Sequence, residues 1–190
     1  PVVRVSWENS MAFCEWLSRR TGLRFTLPDE AQWEYACRAG STSSHWYGAL
    51  DADFSQSANL ADQSLAVVNT YDPWKLPSGA IHPWRPVIAS VNDGHRVSAP
   101  VGTYGANPWG LTDMHGNAAE WTRSLYRPYP WRGDDGRNAT DVSVEDRVVR
   151  GGSWYDRPAR AHSAFRKHYP QWQRVFDVGF RVVCLDTPNP

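Results

Sequence analysis

Between Ser41 and Val101 the chain holds no helical or alternating period for more than a few residues, yet it is not poor in aromatic side chains. Pro, Gly, Ser, Asn and Asp are frequent there, with Trp46, Tyr47, Phe54, Tyr71, Trp74 and Trp84 spread among them. Disordered linkers lack aromatics. The stretch therefore reads as a long irregular region pinned to a core by aromatic anchors, and such loops inside compact domains are usually functional.

Regular structure is signalled on both sides of it. Residues 1–5 (PVVRV) read as a short strand. Trp7, Met11, Cys14 and Leu17 then recur at helical spacing, with Ser6 as N-cap and Gly22 as stop. LPDEAQWEYACRAG predicts a second helix, its acids at the N-terminal end and Gly40 after its last turn. From Val101 onward the punctuation is that of β structure. In VGFRVVCL, Val178, Phe180, Val182 and Cys184 alternate with Gly179, Arg181 and Val183. The polar loop 126–146 contains a sequon, Asn138-Ala139-Thr140. A chain of 190 residues is expected to form one domain, 1–190, of the α+β class.

Composition excludes several functions. Twenty Lys+Arg offset twenty Asp+Glu, so no basic field draws the chain to nucleic acid or anionic lipid. No apolar run reaches the ~18 residues of a membrane span. The opening shows no signal-peptide pattern, and the compartment stays open. Cys14, Cys37 and Cys184 are too scattered for a disulfide framework or a zinc site; one bridge or none is compatible with them. Eleven Trp stand beside cations that, apart from Lys75 and Lys167, are all Arg. Such a mixture suits interlocking contacts and recognition surfaces.

Five blocks, VSWENSMAFCEWLSRRTG, LPDEAQWEYACRAG, NPWGLTDMHGNAAEWT, RVVRGGSW and VGFRVV, occur in the order of the formylglycine-generating enzyme (sulfatase-modifying factor) family, which the chain resembles over nearly its whole length. The resemblance implies a C-type-lectin-like fold of two helices, small antiparallel sheets and much irregular structure. It also implies an N-terminal edge segment ahead of the VSW block, which this sequence lacks. The family's enzyme oxidises a sulfatase cysteine with a copper-binding cysteine pair after the GGS turn. Asp156 and Ala161 stand at those two positions, so no copper is expected, because Cu(I) selects thiolates. The related sulfoxide synthases of ergothioneine synthesis take iron histidines largely from a further helical domain. The six histidines here show no HxxxH or HxxE spacing, and an oxidoreductase whose metal is assembled from His and carboxylates is the alternative reading.

Two sets of residues carry the remaining expectations. Asp113-Met-His-Gly116-Asn-Ala118-Ala-Glu120 offers carboxylates and turn carbonyls, the hard oxygens that calcium takes. The resemblance maps one calcium site there, on Asp113, Gly116, Ala118 and Glu120. It maps another on Asn59, Leu60, Asp93 and His95. Both would hold structural Ca²⁺; the alternative for Asp113 and Glu120 is turn caps or partners of nearby arginines. Past Gly151-Gly152, whose missing Cβ lets the chain turn, come Tyr155, Asp156, Arg157, Arg160, His162, His168, Tyr169, Trp172, Gln173 and Phe176. Aromatics and arginines of this kind dominate binding hot spots. They are expected to bind a protein or glycan ligand, with Trp154, Phe165, Arg166 and Phe180 serving packing. The GGSW…SAxR…VGFRVV ending also resembles the variable region of retroelement-diversified proteins.

Overall fold

The computed structural model describes residues 1–67, 87–142 and 144–186. The chain divides into two compact units. One comprises Pro1, Tyr35–Ala118 and Gly151–Phe165; the other comprises Val2–Glu34, Ala119–Arg150 and Arg166–Pro190.

Helix α1 (Trp7–Thr21) begins with the predicted cap. Ser6 Oγ accepts the Asn9 N–H at 3.1 Å and Asn9 Oδ1 accepts the Ser6 N–H at 3.3 Å, a reciprocal box that satisfies two orphan donors. Gly22 closes it in the left-handed region at φ 76°. Helix α2 (Glu30–Arg38) starts one residue after Asp29, whose Oδ1 accepts the Gln32 N–H at 2.8 Å. Ala39 and Gly40 both take positive φ after it. A short α3 (Gln63–Val67) interrupts the stretch that sequence periodicity leaves irregular.

The described residues form six strands, in chain order β1 (Phe25–Thr26), β2 (Ala119–Leu125), β3 (Asp146–Arg150), β4 (Lys167–Pro170), β5 (Val178–Phe180) and β6 (Val183–Cys184). They form a four-stranded sheet in the order β4-β3-β2-β5 and a pair β1-β6. β5 runs parallel to β2; the other pairings are antiparallel. The unit holding them buries Trp7, Cys14, Leu27, Trp121, Val149 and Val178 in one apolar cluster. Trp7 and Cys14 confirm the helical stripe. The other unit centres on Phe54, Ala58, Leu60 and Ala161, with Tyr47 packed against them. Phe54 and Tyr47 thus act as anchors; Tyr71, Trp74 and Trp84 lie outside the described residues.

Two sequence expectations fail. Residues 1–5 form no strand: Arg4 adopts φ 61°, which breaks extended pairing, and single contacts hold the segment instead. The Arg4 N–H reaches Val175 O at 3.2 Å, and Trp121 Nε1 reaches Val5 O at 3.0 Å. The final strand is split in two. Arg181 leaves the ladder to pair with Glu120, the chain resumes as β6 against β1, and Cys184 becomes exposed where alternation places it inside. No disulfide joins any two of the three cysteines, and burial pushes the Cys14 thiol up to about 11. No described helix is long and apolar enough to cross a membrane.

Candidate functional site

The positions behind the double-glycine bend are built for packing. Gly151 and Gly152 take φ 87° and 68°. A Cβ on Gly152 would stand 2.7 Å from the Ala161 Cβ and 2.9 Å from the Arg160 carbonyl oxygen. The bend and the methyl of Ala161 therefore fit each other. Asp156 is buried, its Oδ2 accepting the Ser153 N–H at 3.0 Å and the Ser153 hydroxyl at 3.1 Å. It fills the site inward and is not presented to a ligand. A carboxylate and a methyl at the two positions do not fit Cu(I), whose chemistry asks for soft sulfur.

Nearby, His115 is fully buried between backbone groups. Its Nδ1 faces Ala161 O at 2.7 Å, and its Nε2 accepts the Trp46 N–H at 3.2 Å. His45 lies edge-on to it at 4.8 Å and stacks on Tyr47 at 4.9 Å. Cys37 Sγ is 3.5 Å from His115 Nε2. Among the described residues no three His, Cys, Asp or Glu side chains are placed to hold a metal ion.

Burial holds the His45 imidazole below its ordinary range, so the folded chain keeps it neutral while the unfolded chain protonates it. The stability this contributes is complete above about pH 6.5 and drains as pH falls. We expect the urea midpoint to drop between pH 7.5 and 5.5 and His45→Gln to remove part of that slope. An unchanged slope in the variant would count against the assignment.

The calcium expectations separate on geometry. Asp93 is buried and accepts the Leu60 N–H through Oδ2 and the His95 N–H through Oδ1, each at 2.9 Å. Burial pushes its carboxyl up to about 6, and the charge of Asp62 adds in the same direction. Asn59 is fully buried and its Oδ1 has no hydrogen-bond partner. An orphaned amide oxygen, one residue from the Leu60 N–H that Asp93 accepts, is a hard donor of the kind calcium takes. The carboxylates of the other set also make contacts within the protein. Asp113 Oδ2 caps the Gly102 N–H at 2.8 Å. Glu120 is bidentate to Arg181, 2.6 Å for each bond, and takes the Trp33 indole N–H at 2.7 Å. These are contacts of the kind that the alternative reading names, turn cap and arginine partner. Gly116 and Ala118 lie on the turn between the two carboxylates.

Of the expected ligand-contacting residues, Arg157, Arg160, His168, Trp172 and Phe176 are exposed; Tyr155, His162, Tyr169 and Gln173 are half-buried. Tyr169 packs edge-on against Trp121 at 6.2 Å and belongs to the core. Residues 155–162 lie in one unit and 168–176 in the other. Arg166 is held by Glu30, the packing role expected of it. Asn138 of the sequon is half-buried, its Oδ1 accepting the Ser124 hydroxyl at 2.5 Å. Sequence reasoning missed Asp62, whose Oδ2 accepts the Asp93 N–H at 2.5 Å; an isolated Ala-Asp-Gln carries no signal.

The chain is similar to several proteins of known kind. Formylglycine-generating enzyme of Bos taurus is 31% identical over 194 residues, an alignment covering 100% of this chain and 45% of that protein. Inactive C-alpha-formylglycine-generating enzyme 2 of Mus musculus is 32% identical over 164 residues, 82% of this chain and 38% of its own. The chain thus spans less than half the length of these relatives. Among solved structures, PvdO from Pseudomonas aeruginosa superposes with a TM-score of 0.73 at 26% identity, covering 97% of this chain and 61% of that one. Treponema denticola variable protein 1 gives 0.69 at 22%, covering 97% and 70%. The fold is therefore the C-type-lectin-like one of these neighbours. The sulfatase-modifying factor enzyme 1-like domain matches residues 1–185, and the chain belongs to that family.

Proposed function

We propose that the chain is a non-catalytic, ligand-binding member of the family, taking a protein or glycan ligand through exposed aromatic and arginine side chains between Tyr155 and Phe176. The observation that carries this reading is the packed pair behind the glycine bend. Where the family's oxidase needs two thiols, Asp156 is spent on Ser153 and Ala161 closes on Gly152. An inactive relative and a variable protein among the similar chains support it. The test is reconstitution with Cu(I) followed by a sulfatase-derived cysteine peptide. We expect no stoichiometric copper uptake and no aldehyde; either one would sink the reading.

The binding half is tested by replacing Arg157, Arg160, Trp172 and Phe176 together with Ala. All four are exposed, so circular dichroism and melting should be close to wild type. Binding to neutral glycans on an array and to candidate cell-surface proteins should be lost, single hot-spot residues being worth about 2 kcal/mol. Full binding by the quadruple variant would refute the assignment to these residues.

One structural Ca²⁺ is part of the same proposal, held by Asn59 Oδ1, the Asp93 carboxylate and the carbonyls of Leu60 and His95. At a hundredfold excess over its dissociation constant it would add about 2.7 kcal/mol. For a chain of this size that is about 5–10 °C in melting temperature. Exhaustive chelation should remove that increment and Asp93→Asn should abolish it, whereas identical melting curves with and without chelator would rule the ion out.

A further inference from the structure

The loop leaving β2 carries planar groups that neither the glycine bend nor the calcium positions use. His168 stacks on Tyr126, ring centroids 4.0 Å apart and planes 24° from parallel. The Arg166 guanidinium carbon lies 4.5 Å from the Tyr126 ring centre and 4.6 Å from that of Tyr129. Each polar member is held in place. His168 Nδ1 meets Asp146 Oδ2 at 2.6 Å, and Arg166 forks onto Glu30 and also donates to Arg127 O at 2.9 Å.

Beside this ladder a cavity of about 560 Å³ is lined by Arg127, Pro128, Tyr129, Pro130, Arg132 and Asp135. The lining Asp135 is held in place: Arg137 is fully buried, donates to it at 2.7 and 3.0 Å, and lies 5.2 Å from the Trp131 ring centre. Arg127 pairs with Glu145 at 2.6 Å. Arg132 is exposed, and among the described residues no carboxylate lies within salt-bridge reach of it.

We propose that this cavity binds an anionic saccharide. Its volume is that of a small-ligand site. The tyrosine and proline rings offer flat C–H and π surfaces to the apolar face of a pyranose. The Arg132 fork recognises a carboxylate or sulfate through paired N–H donors. Asp135, oriented by Arg137, keeps lone pairs for sugar hydroxyls. A peptide is the poorer occupant, because residues 126–142 contain no strand and so offer no ladder for an added one. None of the lining residues belongs to the 155–176 set, so the two sites stand or fall separately.

The test is calorimetric titration with three hexasaccharides: heparin-derived, hyaluronan and maltose-derived. We expect one or both anionic sugars to bind and the neutral one not to. Heparin binding without hyaluronan binding would assign sulfate, and binding of hyaluronan would assign carboxylate. Arg132→Gln and Tyr129→Ala should each weaken binding about tenfold, while Trp172→Ala should leave it unchanged. The proposal is overturned if neither anionic sugar binds, if Arg132→Gln binds as wild type, or if an oligoglutamate peptide competes with equal affinity.

Discussion

Glu30→Ala is expected to destabilise the unit that contains the sheets by about 3–5 kcal/mol, the cost of leaving buried charges without their partner. That corresponds to a fall of about 6–20 °C in melting temperature. Glu30 is 1% exposed and serves two guanidinium groups. Its Oε2 takes Arg166 Nη2 at 2.8 Å, its Oε1 takes Arg166 Nε, and Arg150 Nη1 stands 3.4 Å away. Arg150 is itself 1% exposed, with its guanidinium carbon 5.4 Å from the Trp33 ring centre. Removing the carboxylate leaves Arg150 to Glu34 and gives Arg166 a single carbonyl, Arg127 O, in place of its fork. Urea denaturation measures the loss. The mechanism also predicts non-additivity: Glu30→Ala combined with Arg166→Met should cost less than the sum of the two, because the second change removes the stranded charge. Strict additivity would mean that the ion pair is not what Glu30 supplies.

Glu30 also shows where sequence reading stops. From spacing it reads as an acid favouring the helix dipole, and it does occupy the first turn of α2. Its larger role depends on arginines 120 and 136 positions further along the chain, and no local period encodes that pairing. The same limit explains the split final strand. Alternation predicts β structure through Cys184, but whether Arg181 stays in the ladder is decided by Glu120, 61 positions away. Helix ends were legible because caps act within four residues: Ser6 with Asn9, and Gly22 with Ser18. The glycine bend was legible for a related reason, since only glycine takes positive φ without strain. For the calcium candidates, oxygen-rich spacing names residues, and only the fold shows that Glu120 is held by Arg181 while the Asn59 amide oxygen has no hydrogen-bond partner.

Gly116→Ala is expected to be the more damaging of the two substitutions, at about 5 kcal/mol or more, a range reached only when a core contact is made impossible. Gly116 takes φ 76°, which by itself costs an L-residue about 1–2 kcal/mol. The space is worse than the torsion. An added Cβ would sit 2.0 Å from the Asn59 carbonyl oxygen and 2.9 Å from a Leu60 methyl. Neither neighbour is free to retreat: that carbonyl accepts the Asn117 N–H at 2.8 Å, and Leu60 belongs to the apolar cluster with Phe54 and Ala161. Gly110 provides the comparison, because it has φ 80° with open space where the Cβ would go. Gly110→Ala isolates the torsional cost, so the difference between the two variants in urea midpoint measures the close approach alone. Equal losses would show that the backbone around Asn59 relaxes, and with it would go the rigid placement of Asn59 Oδ1 on which the proposed calcium site depends.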